Sequence, residues 1–304
     1  MSRRATILMG LLAALWGASY LFIKVALDDL SPLALVWVRT ALGALVLAPV
    51  ALQRGAFVPA RRHLGTLAFI AAFQIAGPFL LIAVGEQHIS SSLAGILVAS
   101  APIWTALLAA GFVPEERLPP AGLAGVAIGI VGVALLLGVD LGGGDALLGG
   151  ALILVAALGY AIGALVAKRR LADVPPVGLV ASIMSLSTLF LLPALPFAVP
   201  DHAPQLDTVG ALIALGAGGT GVSFLIFYTL NAELGPSRAS IVAYIAPVFS
   251  VLYGVTLLDE ELTAGVIAGL VLILAGSWLA ADGRVPRRRR RPQAALADSP
   301  VSSG

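Results

Sequence analysis

Six side chains with hydrogen-bonding groups, Trp16, Gln74, Trp104, Tyr160, Ser223 and Tyr244, stand near the middle of long apolar stretches. A Trp N–H or a Tyr O–H is a donor attached to a large apolar face. Such groups can hold a zwitterion or another polar metabolite inside a membrane without burying a full charge. The same residue types also serve as packing or as markers of the membrane interface, so their place near span centres is what points to binding. Pro102 and Pro247 each remove one backbone hydrogen bond from a helix. The freed carbonyls can bind substrate, the kink can act as a hinge, or the kink is simply structural. Arg39 lies about seven residues into its span. A centred arginine costs about 2.5–3.5 kcal/mol on insertion scales. It can recognise a carboxylate, pair with a helix C-terminus, or snorkel to the outer headgroups. Lys24, near an outer end, reads as an interfacial anchor.

The missing chemistry narrows the field. No Asp or Glu falls in the middle third of any apolar span. This disfavours exchange of a proton on a membrane carboxylate, and with it cationic drugs as cargo. The chain has no cysteine, and its three histidines, His63, His88 and His202, fall in loops, so no intramembrane metal site is expected. Neither G-x-S-x-G nor H-E-x-x-H occurs, and no catalytic residue or cofactor is expected. One pattern needs an answer. Gly216, Gly218 and Gly221 form a G-x-G-x-x-G. A dinucleotide loop needs a strand before those glycines and a soluble βαβ unit around them. Here they lie inside one apolar segment flanked by Asp207 and Glu233, so they read as sites of close helix contact.

These residues must be carried by membrane helices. Hydrophobic residues are 59% of the 304 and charged residues 11%, against roughly 25% charged in soluble domains. Ten apolar segments are bounded by charged or Pro/Gly-rich breaks: 5–27, 32–52, 64–84, 92–113, 120–138, 146–167, 176–199, 208–230, 238–258 and 262–281. Backbone in hydrocarbon must satisfy its own hydrogen bonds, so each should be a helix. The first is long enough to span and lacks a small-residue cleavage site, which argues against a secretory signal. With the N-terminus inside, sixteen of the eighteen Lys and Arg residues fall in cytoplasmic segments and the other two lie within spans. External turns carry Asp28, Asp29, Asp140, Asp145, Asp201, Asp207, Asp259, Glu260 and Glu261, and Glu86 and Asp201 are expected to be reachable from outside. The tail with Arg284 and Arg287 to Arg291 reads as a disordered patch against anionic lipid headgroups rather than a nucleic-acid arm.

The two halves match at a nearly constant shift. Trp16 and Lys24 map onto Tyr160 and Lys168 at 144, Pro32 and Pro49 onto Pro176 and Pro193 at 144, and Pro102 onto Pro247 at 145. The 145 shift also pairs Gln74 with Gly219. Five spans per repeat is an odd number, so the second copy enters the bilayer upside down, as in secondary transporters. The first span "LWGASYLFIK", Arg39 in "LVWVRTALGALVL", the two mid-span prolines, and "EERLPPAGLAGVAIGIVGVALL" matched by "DEELTAGVIAGLVLILAGSWLA" resemble the EamA family of the drug/metabolite transporter superfamily. The resemblance implies ten helices around a central cavity, both termini inside, and movement of small metabolites, often export.

The expected protein is therefore an all-α membrane protein of ten transmembrane helices in two inverted five-helix repeats. The repeats are 1–139 and 140–283, followed by the tail 284–304. It is expected in the cell membrane of a bacterium, exporting small polar metabolites such as amino acids by alternating access. The alternative is a sensor or scaffold without flux. The G-x-x-x-G pairs at Gly125/Gly129 and Gly265/Gly269 favour packing within a monomer over dimerisation.

Overall fold

A computed structural model describes residues 2–112, 118–139, 144–200 and 202–282. Arg117, Asp140, Asp201 and the tail 284–304 lie outside the described residues. Everything described is helix or connection, with no strand among these residues. The helices are α1 (Arg3–Ala26), α2 (Pro32–Gln53), α3 (Phe57–Glu86), α4 (Ser91–Phe112) and α5 (Pro120–Val139). They continue with α6 (Gly144–Arg170), α7 (Pro176–Phe197), α8 (Leu206–Leu234), α9 (Val242–Leu257) and α10 (Ala264–Asp282). Among the described residues nine helices are long and apolar enough to cross a membrane, and α9 is apolar but shorter.

Local chemistry sets where these helices start. Serine hydroxyls accept the first free backbone N–H groups: Ser2 from Ala5 at 3.1 Å, Ser31 from Ala34 at 3.3 Å and Ser90 from Leu93 at 3.2 Å. Proline begins α2 and α7, where its missing N–H is harmless. Buried positions favour small residues such as Ala13, Ala83, Ala94 and Ala156, while Leu45, Leu52, Phe112 and Val155 point outward. That is the pattern of a bundle whose outer surface is solvated by lipid.

The principal helix pairs recur when the first five helices are exchanged for the last five, although the α4–α10 contact has no such counterpart. α5 packs on α10, and α2 on α7. α1 against α9 is matched by α6 against α4, α3 against α6 by α8 against α1, and α2 against α8 by α7 against α3. The same equivalence appears in the backbone. α3 widens to π-type turns at Ala71–Ala76, and α8 does so at Ala214–Val222. At the shift of 145 the first stretch falls on 216–221, inside the second. The glycine-rich pattern is thus a widened helical turn. A Cβ on Gly216 or Gly221 would run into Leu42 or Val46 of α2, so glycine permits the close approach there. Gly125 and Gly129 of α5 face Gly276 of α10 inside the same chain.

The proline pair is less symmetric. α4 breaks at Ala99–Ser100, just before Pro102, and the Ala99 carbonyl accepts the Ser277 hydroxyl of α10 at 2.8 Å. Pro247 sits inside the unbroken α9. The chain turns instead at Ser240–Ile241, ahead of that helix.

Candidate functional site: a cavity walled by both halves

A cavity of about 660 Å³ lies between the halves. From the first half α1, α2, α3 and α4 line it, and from the second α6, α8, α9 and α10. At one end its lining reaches the exposed residues Lys168, Ser240 and Ala281. At the other it ends on Ile23 and Ile82, which are buried. The cavity is open at the first end and shut at the second.

Seven of the nine residues singled out from the sequence line this space: Trp16, Gln74, Tyr160 and Tyr244, the prolines Pro102 and Pro247, and Arg39. Trp104 and Ser223 do not. The Trp104 Nε1 is buried without a hydrogen-bond partner, and the Ser223 hydroxyl donates to the Gly218 carbonyl at 2.9 Å within the widened turn of α8. The prolines withdraw an N–H from the carbonyls four residues back, Val98 and Ala243, and both of those residues line the cavity.

The walls are mainly aromatic and aliphatic. Trp16 lies edge-on to Phe224 with centroids 6.2 Å apart, and 5.4 Å from Phe227. Gln74 occupies the space that a side chain on Gly163 would take, and Gly219 leaves the equivalent space beside Ser19. The pairs are related by the repeat: 19 maps to 163, and 74 to 219. The two halves therefore use one contact in mirrored form, with the polar side chain on α3 in one case and on α1 in the other.

Arg39 is 7% exposed. It does not snorkel. Its Nε donates to the Thr220 hydroxyl of α8 at 3.1 Å, and its guanidinium carbon sits 3.7 Å from the centre of the Phe79 ring. Tyr20, Phe224, Phe227 and Thr105 also line the cavity and were not singled out from the sequence. Tyr20 was within reach of it, because it follows Trp16 by four residues and so shares its helix face.

The shut end is held by polar contacts between segments far apart in the chain. The Lys24 ammonium donates to the carbonyls of Glu86 at 2.6 Å and Ile89 at 3.1 Å. Glu260 caps the start of α4, accepting from the backbone N–H groups of Ser91 at 2.7 Å and Ser92 at 3.0 Å, and from the Ser92 hydroxyl. Gly254 makes room for that cap, since a Cβ there would meet both Glu260 and Ser92. Asp29 accepts from the Gln205 backbone at 2.8 Å and the Thr208 hydroxyl at 2.7 Å, and these bonds, the Gln205 N–H first, hold its carboxyl below the usual range. Glu86 differs from its expected exposure: it is 0% exposed, closed in at the end of α3 where the Lys24 contact folds the turn inward. At the open end Arg4 pairs with Glu233 at 3.0 Å, and His63 with Asp173 at 3.1 Å. No group of three or more His, Cys, Asp or Glu suited to a metal occurs among the described residues.

The two halves that wall this cavity are also the two units of a known sequence family. The EamA-like transporter family matches residues 4–138 and again 147–281. The chain belongs to the EamA-like transporter family. This EamA protein is similar to a probable amino-acid metabolite efflux pump of Salmonella typhimurium, with 31% identity over 96% of this chain and 99% of that one. It is also similar to the uncharacterized inner membrane transporter YedA of Escherichia coli K12, with 28% identity over 90% of this chain and 92% of that one. A solved crystal structure shares the fold at a TM-score of 0.67, covering 92% of this chain and 97% of that one at 23% identity. The EamA protein is a multi-pass membrane protein, and its relatives carry the names of transporters.

Proposed function

We propose that this EamA protein is a secondary transporter that exports small polar metabolites such as amino acids by alternating access through the central cavity. The observation that carries this reading is a cavity lined by both halves, open at one end and sealed at the other. Two packed halves with equivalent contacts can exchange conformations, opening the same space first to one side and then to the other. Five helices per half supports opposite threading of the copies. The clustering of Lys and Arg at the open end supports a cytoplasmic position for that end and for both termini. The basic tail then meets anionic headgroups, and the glycines of α5, used inside the chain, support a monomer.

Within the cavity Trp16, Gln74, Tyr160 and Tyr244 form the binding wall, and Pro102 and Pro247 mark where α4 and α9 yield during the change of access. The name of the Salmonella relative supports amino-acid metabolites as cargo. The test is uptake and efflux in reconstituted vesicles against a metabolite panel, with and without a pH gradient. Saturable flux of at least one small polar solute is expected. Absence of flux for every solute, in protein whose fold is intact, would favour a sensor or scaffold.

A further inference from the structure

Arg39 is held from two sides, yet its business end is unused. The Nε is taken by Thr220 and one face of the guanidinium lies on Phe79. The two terminal nitrogens have no hydrogen-bond partner among the described residues. They are also absent from the buried atoms that are cut off from accessible space. Arg39 lines the cavity, so those nitrogens open onto it. A guanidinium keeps its charge and presents paired N–H groups matched to a carboxylate. Tyr20 and Tyr160 also line the cavity within electrostatic reach of Arg39, and both are phenol donors.

The opposite charge is missing from the same walls. No Asp or Glu lines the cavity among the described residues, and the only other lining cation is Lys168, at the mouth. Glu86 lies within electrostatic reach of Arg39 but makes no hydrogen bond to it and does not line the cavity.

Building on the carrier reading, we propose that the cavity selects organic carboxylates with an apolar body, that Arg39 is the residue that recognises the carboxylate, and that no charged side chain reads an ammonium group. The des-amino acid of a suitable amino acid should then bind about as well as the amino acid itself, while the carboxamide should not.

The experiment measures binding to the purified full-length protein in detergent, by ligand-induced thermal shift, together with flux in vesicles. The probes are matched sets with benzyl, indole and branched-alkyl bodies: the amino acid, its des-amino acid and its amide. Expected is binding of the first two at least ten times tighter than the amide in one or more sets, with Arg39→Gln removing that preference and Arg39→Lys restoring part of it. Equal binding of acid and amide in every set, no carboxylate binding in any set, or retention of the preference by Arg39→Gln would overturn the assignment. A tenfold loss on removing the amino group would overturn its second part. The ligand comparison in the unaltered protein decides the matter even if Arg39→Gln fails to fold. Carboxylate binding without flux of any solute would sink the carrier reading and leave the recognition by Arg39 standing. Flux of amides and acids alike would do the reverse.

Discussion

A few side chains carry the proposed site, and each acts through its neighbours. Trp16 presents its ring to the cavity because Phe224 and Phe227 support it from α8. Removing an aromatic contact of this kind costs about 1 kcal/mol, or roughly fivefold in an equilibrium. Trp16→Ala should therefore lower flux by ~5-fold or more while leaving insertion intact, as judged by vesicle transport beside membrane yield and gel-filtration profile. Gln74→Ala should do the same through loss of its amide. Unchanged transport in both variants would remove this wall from the site. Trp104→Phe and Ser223→Ala should affect transport less, since neither residue lines the cavity. The same assay measures that contrast.

The elements that shut the cavity are joined by polar links as well as by buried apolar residues such as Ile23, Ile82, Ile89 and Leu93. Glu260 holds the start of α4 through backbone donors, and such caps are worth about 1 kcal/mol. Glu260→Ala should let the far end open more often. A cysteine placed at the buried Ile23 should then react faster with a membrane-impermeant thiol reagent, and an unchanged rate would exclude Glu260 from the closure. Asp29 gives a second test, through pH. Its hydrogen bonds with Gln205 and Thr208 hold the carboxyl below the ordinary value of 3.8, so the ionised form is favoured in the folded protein. The sign follows: the stabilisation is present above that ordinary value and is lost as pH falls through the lower folded one. Asp29→Asn should be less heat-stable than the parent at neutral pH, and the gap should narrow in strong acid. A gap that does not change with pH would mean the carboxylate charge plays no part.

Across the whole molecule, links at one end tie residue 4 to 233 and 63 to 173, while links at the other tie 24 to 86, 29 to 205 and 91 to 260. This alternation supports the proposed threading, with the N-terminus at the open, basic end. Because the chain contains no cysteine, single-cysteine labelling needs no background removal. Cysteines at Asp28 and Glu261, both exposed, should react from outside intact cells, and those at Arg54 and Arg170 only after permeabilisation. The reverse result would invert the proposed orientation. An inside position for Asp28 together with an outside one for Glu261 would break the proposed threading altogether.

Membrane residence, the helical class, the approximate spans and the family, whose model matches once in each half, were all legible from the sequence. The reason is that hydropathy, capping and repeat spacing are local or linear properties, and hydrocarbon leaves the backbone almost no alternative to helix. Which polar residues meet was a different matter. The rotation of each helix decides that Tyr20 joins the cavity and Trp104 does not. A contact spanning 181 residues decides that Arg39 rests on Thr220, its terminal nitrogens without a hydrogen-bond partner among the described residues. Closure at one end decides that Glu86, at an apparent loop, is buried. These outcomes depend on long-range register between surfaces, which no window along the chain contains, and only the tertiary packing settles them.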